Sequence, residues 1–263
     1  MILNEIVART RQLVEHRKMQ LPLNEVKNKA MSSQPPRDFA KSLQNKGINL
    51  IAEIKRASPS KGILSPYLNA PALGKTYEQN GAAAISVLTE PEYFKGSLAD
   101  LEMVHEAVSV PVLRKDFIFD QYQVFEARAY GADAVLLIAA ILNQKELGLL
   151  LKITHSLGMA ALVEIHSRDE LMKVWDVNPR IIGINNRNLA DFSVDLETTA
   201  NLRLLVPSDT IVVSESGIHN RKDVLKLQMA GVNAILVGEA LVTSSDPGEK
   251  IRELMGLTEQ DKV

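Results

Sequence analysis

The stretch NLIAEIKRASPSKG, residues 49–62, begins as an apolar β-strand, carries Glu53 and Lys55 near the strand's end, and passes at once into a loop of Ser, Pro, Lys and Gly. Alternate residues of a strand share a face, so Glu53 and Lys55 point one way and Ala52 and Ile54 the other. Leu50, Ile51 and Ala52 are apolar in succession, which leaves neither face for solvent. Strands covered on both faces belong to parallel sheets flanked by helices. In a closed α/β barrel the apolar pair faces the surrounding helices. The charged pair then faces the interior, at the carboxyl end of the strand where such barrels do their chemistry.

Seven more apolar runs, at 83–88, 112–115, 134–138, 161–165, 181–185, 211–214 and 234–237, follow the first at 50–55. Their spacing of roughly 20 to 30 residues is that of one strand-helix unit. Segments between them, such as SLADLEMVHEAV and NRKDVLKLQMAG, carry apolar residues three and four apart and read as amphipathic helices. Asp120 with Gln123, Asn143 with Glu146, and Ser167 with Glu170 read as capping pairs directly after a strand. The glycines of YGAD, LGMA and AGVN mark helix stops. Eight regular units filling 263 residues, with no GxGxxG turn after the first strand, predict an α/β fold of one (β/α)8 barrel rather than an open doubly wound sheet. Residues 49–263 form this barrel. Residues 1–48 form an amino-terminal helical extension, helical near 5–18 and again near 38–44, that plugs or flanks the barrel and covers one rim of its mouth.

Hydrophobic residues make up 46% and charged residues 24%, enough for both a core and a solvated surface. A formal net charge of -2 with scattered basic residues predicts no nucleic-acid partner and no anionic membrane surface. The absence of cysteine excludes disulfides and thiolate chemistry and fits a reducing compartment. The amino-terminal stretch mixes charges among its apolar residues from Asn4 onward, so it reads as neither signal peptide nor membrane span, and the cytoplasm is the expected location. His16, His105, His155, His166 and His219 show no metal spacing, and no metal or other cofactor is expected. Asp116 and Asp133 read as cap or turn residues.

Other strand ends repeat the pattern of the first. Lys115 closes the third, Glu164 the fifth and Glu215 the seventh. Interior layers of a barrel draw side chains from alternate strands, so these residues and the Glu53/Lys55 pair converge near the mouth. Any one of them equally fits an ion pair sealing the core. Four odd strands ending in ionisable residues are harder to ascribe to stability, which apolar side chains serve as well. After strands seven and eight, Ser216 and Gly217 in SESGI and Gly238 in LVGEAL offer backbone N–H groups where barrels of this kind hold phosphate. Asn185 and Arg187 share a face after strand six, and Arg187 suits a carboxylate or phosphate. The pattern alone also fits a Schiff-base lysine enzyme or a phosphate-binding barrel without activity.

The segments IAEIKRASPSKG, SVLTEPEYFKGS, VLRKDFI, LVEIH, IGINNRNL, SESGI and LVGEALV, in this order, resemble the indole-3-glycerol phosphate synthase family in its monofunctional form. The resemblance runs over about residues 50–242. It implies ring closure of 1-(2-carboxyphenylamino)-1-deoxyribulose 5-phosphate, with loss of carbon dioxide and water, without cofactor. Under it Lys115 is the general acid at the carbonyl and Glu53 stabilises the charged intermediate. Lys55 meets a substrate anion or acts in dehydration, and Glu164 is the acid/base partner there. Glu215 and Asn185 position hydroxyls and catalytic side chains, while Arg187 meets the ring carboxylate. Ser58, Ser216, Gly217, Gly238 and the amide of Glu239 contact phosphate, and Phe94, Phe117, Leu136 and Leu189 form the apolar pocket for the ring. The loop after Lys55 becomes a candidate lid with Gly62 as its hinge. The implied partner is a small phosphorylated substrate, and the implied assembly a monomer or weak homo-oligomer.

Overall fold

The computed structural model describes residues 2–188 and 191–257. Eight parallel strands close into a barrel: β1 Asn49–Ile54, β2 Ala84–Leu88, β3 Val112–Lys115, β4 Ala134–Ile138, β5 Ala160–Ile165, β6 Ile181–Asn185, β7 Ile211–Glu215 and β8 Ala234–Val237. Each pairs with its neighbours in chain order, and β8 returns to β1 in the register Asn49↔Ala234 and Leu50↔Ile235. The strand boundaries read from the sequence differ from these by one residue at most.

Three helices precede the barrel: α1 Ile2–Gln20, α2 Leu23–Ser32 and α3 Phe39–Ser42. The outer ring comprises α4 Ala70–Gln79, α5 Leu98–Ala107, α6 Gln121–Ala129, α7 Gln144–Ser156, α8 Arg168–Val174, α9 Glu197–Arg203 and α10 Arg221–Met229. Short α11 Glu239–Val242 and α12 Pro247–Met255 follow β8. Among the described residues no helix is long and apolar enough to cross a membrane.

Alternation along the strands divides the apolar interior in two. Leu50, Ala52 and Ile54 join Leu101, Val104 and Val124 of the helices, whereas Ile51 joins Ala84, Leu113, Leu136, Leu162, Val213 and Leu236 inside the barrel. The inner cluster is closed by Phe39, Ala40 and Leu43 from α3 and the residue after it, all essentially without solvent contact. Asn49 fixes this plug at the amino end of the strands, its side-chain amide donating to the carbonyls of Leu43, Asn45 and Asn233. The opposite end of the barrel is left open for the charged side chains.

Local signals behave as their chemistry demands. Asp120 with Gln123 and Asn143 with Glu146 form complete capping boxes, each satisfying two backbone N–H groups reciprocally. Gly131, Gly158 and Gly231 stand at φ +88°, +74° and +79° after α6, α7 and α10, a conformation in which a Cβ is strained. Helix α2 has no counterpart in the sequence reading. It buries only Val26 and Ala30, against α1 Val14 and α6 Tyr122 and Ala129, so its apolar stripe is too thin to stand out.

Candidate active site

At the carboxyl ends of the strands the odd-numbered ones deliver their charges to a single cluster. The Lys115 ammonium from β3 donates to Glu164 Oε2 of β5 at 2.9 Å and to Glu215 Oε2 of β7 at 2.8 Å. Lys55, just past β1, pairs with Glu53 Oε1 at 2.8 Å. All five line one cavity, together with Ser58, Phe94, Phe117, Leu136, Asn185, Arg187, Ser216, Gly217, Gly238 and Glu239. Every site residue named from the sequence is therefore brought together except Leu189, which lies outside the described residues.

Burial and mutual repulsion set the protonation of this cluster. Desolvation would push Lys115 toward neutrality, but Glu164, Glu215 and Glu53 outweigh it and hold the ammonium well above the ordinary lysine range. The two carboxylates that share this ammonium diverge. For Glu164 burial acts upward, yet Lys115, His166 and a hydrogen bond from Asn185 bring it below the usual carboxylate range. Burial drives Glu215 above that range against the pull of Lys115, with Glu164 and Glu53 adding to the rise. Two carboxyl groups pushed apart around a single proton donor are the arrangement that acid/base chemistry needs.

Glycines on the even strands make room for this cluster. A Cβ at Gly238 would lie 2.3 Å from Glu53 Oε1, and one at Gly183 would lie 2.2 Å from Glu215 Oε1. Among the described residues, Glu215 Oε1 is buried with no hydrogen-bond partner. Replacing Gly238 by alanine is expected to swing Glu53 away from Lys55 and lower kcat/KM by about 10²-fold, the scale of a 1 Å misplacement. Steady-state kinetics beside a thermal melt measures this, and an unchanged kcat/KM would show the close approach to be irrelevant.

Beyond β7 the chain makes two successive left-handed turns, at Ser216 with φ +68° and Gly217 with φ +80°. Asn186 holds this turn, its amide donating to Ser214 Oγ and to the carbonyls of Glu215 and Ser216, each at 3.0 Å. The neighbouring Glu239 carboxylate turns toward two cations, with Lys61 Nζ at 3.4 Å and Arg187 at 4.0 Å. Lys61 belongs to a small hairpin after β1, Ala57–Ser58 against Gly62–Ile63, in which Gly62 adopts φ +68°. On the apolar side Phe94 and Phe117 stand 6.1 Å apart between ring centroids.

Several residues of the site gave no distinct sequence signal. Ile2, Leu3 and Ile6 of α1 line the cavity, as does Phe192, so the amino-terminal helix forms part of its wall. Salt bridges pin that helix along its length: Arg9 to Glu92 at 2.5 Å, Arg17 to Glu126 at 3.2 Å and Lys18 to Asp120 at 2.6 Å. On the helix-facing side of β3 the fully buried Arg114 donates to Thr89 Oγ1, to the Gln123 carbonyl and to Asp116 Oδ2, and pairs with Glu126 at 3.0 Å. Asp116 caps no helix, that role falling to Asp120; it accepts from the Phe117 N–H at 2.8 Å in the bend after β3 and anchors this buried network.

Comparison with known proteins follows the same residues. A family model described as indole-3-glycerol phosphate synthase matches residues 3–254. A curated protein of that name from Dehalococcoides mccartyi is 49% identical over 97% of this chain and 100% of its own length. One from Roseiflexus sp. is 50% identical over 97% and 98%, and one from Campylobacter jejuni 43% identical over 97% and 100%. Among solved structures, 3-hexulose-6-phosphate synthase from Salmonella typhimurium superposes with a TM-score of 0.64 at 12% identity, over 81% of this chain and 100% of its own, which speaks for the barrel alone. A match along nearly the whole chain, at about half identity to full-length relatives, places this protein in the indole-3-glycerol phosphate synthase family.

Proposed function

We propose that this chain catalyses its family's reaction, converting 1-(2-carboxyphenylamino)-1-deoxyribulose 5-phosphate to indole-3-glycerol phosphate, carbon dioxide and water. The observation that carries the catalytic assignment is the Lys115 ammonium held between Glu164 and Glu215. Lys115 gives its proton to the carbonyl oxygen as the ring carbon bearing the carboxylate attacks. Carbon dioxide then leaves, and its bonding electrons return to the iminium, which serves as the electron sink in place of a cofactor. Dehydration needs an acid for the departing hydroxyl and a base for a ring proton, roles for Lys55 and Glu164.

The remaining assignments follow charge and shape. Glu53 stabilises the cationic intermediate, and Glu215 and Asn185 hold the hydroxyls and the catalytic side chains. Arg187 meets the ring carboxylate, and the ring lies against Phe94, Phe117 and Leu136, with Leu189 as a further apolar contact. Ser58, Ser216 and the backbone N–H groups of Gly217, Gly238 and Glu239 receive the phosphate. The helical extension, residues 1–48, supplies a wall and a plug to the catalytic barrel, residues 49–263. The enzyme works in the cytoplasm as a monomer or weak homo-oligomer, without metal. A Schiff-base mechanism is disfavoured because its lysine must be neutral, whereas Lys115 is held protonated.

The test mixes protein and substrate with EDTA present and follows the indole fluorescence of the product. Signal at an undiminished rate supports the reaction and its independence from metal; silence from a folded, substrate-binding sample overturns the reading. Glu164→Gln is expected to slow dehydration by about 10²–10⁴-fold. Mass spectrometry of quenched reactions should then show a decarboxylated species one water heavier than the product. A normal rate with no such species would remove Glu164 from that role.

A further inference from the structure

His166 lies behind the catalytic cluster and outside the residues that line the cavity. Its ring is largely buried, with Nε2 3.3 Å from Glu164 Oε1 and Nδ1 3.2 Å from Glu170 Oε2. Glu164 thus has a nitrogen near each oxygen: Lys115 hydrogen-bonded at Oε2, and His166 Nε2 within ion-pair distance of Oε1 without hydrogen-bond geometry. The ring is itself held by a modified helix cap. Ser167 accepts from the Glu170 N–H at 3.2 Å as a capping residue should. The reciprocal bond to Ser167 is not made, because the Glu170 carboxylate reaches one residue further back and accepts the His166 N–H at 2.7 Å. One carboxylate oxygen therefore fixes both the backbone and the ring of His166.

The geometry points to His166, held by Glu170, as a positioning residue that aims the Glu164 carboxylate and sets a positive charge against its Oε1. The inference rests on the reading of Glu164 as the acid/base group of dehydration. The charged groups around the imidazole are Glu164 on its own strand, Glu170 on α8 and Glu215 on β7, with Lys115 on β3 beyond Glu164. Burial opposes the doubly protonated ring, but the hydrogen bond to Glu170 and the charges of Glu164 and Glu170, with a smaller pull from Glu215, outweigh it. Removing this charge should let Glu164 take up a proton at higher pH, so that it stops working as a base sooner as pH falls.

The experiment compares dehydration kinetics and pH profiles of His166→Phe, His166→Gln, Glu170→Gln, Glu164→Gln and the Glu164→Gln/His166→Gln double variant, each with a thermal melt. His166→Phe is expected to lower kcat about 10–100-fold with KM within about twofold, and to move the acid limb toward higher pH. His166→Gln, which keeps a polar amide beside Oε1 but carries no charge, should regain part of kcat while keeping the shifted limb. Glu170→Gln should act in the same direction more weakly, and the double variant should be no slower than Glu164→Gln alone. If His166→Phe does not fold, His166→Gln and Glu170→Gln decide the matter. Wild-type kcat with an unshifted acid limb, or a full additional loss in the double variant, overturns the inference. An unimpaired Glu164→Gln removes the reading beneath it instead, and with that reading the role of His166.

Discussion

Lys115→Met is expected to lower turnover by about 10³-fold or more while the barrel still folds, because it removes the proton donor and leaves the volume of its stem. The loss should fall on kcat, since the proposed phosphate and ring contacts are assigned elsewhere in the cavity. Stability should change in a particular way. Without the ammonium, Glu164 and Glu215 face each other buried, and breaking a buried ion pair costs about 3–5 kcal/mol. That cost is relieved by protonation. Carboxyls whose folded-state affinity for protons exceeds that of the unfolded chain make stability fall as pH rises, since the native state then binds more protons. Thermal melts at about pH 5 and about pH 8 should therefore show a deficit relative to wild type that is larger at the higher pH. Wild-type turnover would end the assignment of Lys115, and an equal deficit at both values would mean that the carboxylates find another partner.

Arg114→Met should have the largest effect on stability with little direct effect on chemistry. Its guanidinium is fully buried, and among the described residues its loss leaves Asp116 without a direct ion pair and both Asp116 and Glu126 dependent on Arg17. A loss of about 3–5 kcal/mol is expected, which for a chain of this size lowers Tm by roughly 10 °C. Neutralising the stranded carboxylates, as Asp116→Asn and Glu126→Gln in the same chain, should recover part of it. Calorimetry of the single and triple variants measures both. A single variant within about 2 °C of wild type would mean that water or a rearranged partner replaces the guanidinium.

Why the strands were legible and this network was not follows from burial. A strand covered on both faces must be apolar at every position, so Leu50, Ile51 and Ala52 or Val135, Leu136 and Leu137 announce themselves without any knowledge of neighbours. Charges that interrupt such a strand at its carboxyl end are equally conspicuous, which is how Glu53, Lys115, Glu164 and Glu215 were found. Arg114 stands beside Lys115 in the same run, but apart from Asp116 its partners come from two other segments, Thr89 after β2 and Gln123 and Glu126 on α6, and no local pattern specifies that meeting. The same holds for Ile2, Leu3 and Ile6, which have ordinary helical spacing yet sit at the cavity because the amino-terminal end of α1 reaches it. Asn186 carries no signal of its own beside Asn185 and Arg187, because the turn it holds follows another strand.

The pinning of α1 gives the cavity wall a different solvent response from the rest of the barrel. Arg9 and Glu92 are more than a third exposed, and Lys18 and Asp120 more than a quarter. Exposed pairs of this kind contribute little each and weaken as mobile ions screen them over about 10 Å at 0.1 M. The barrel, like the Arg17–Glu126 pair at the carboxyl end of α1, is held by apolar layers and buried charges that ions scarcely reach. Ionic strength should therefore act on substrate affinity, through the helix that forms part of the wall, at concentrations where the melting transition does not move. A KM that rises with potassium chloride at constant Tm would mark α1 as the part of the enzyme tuned by the salt content of its surroundings.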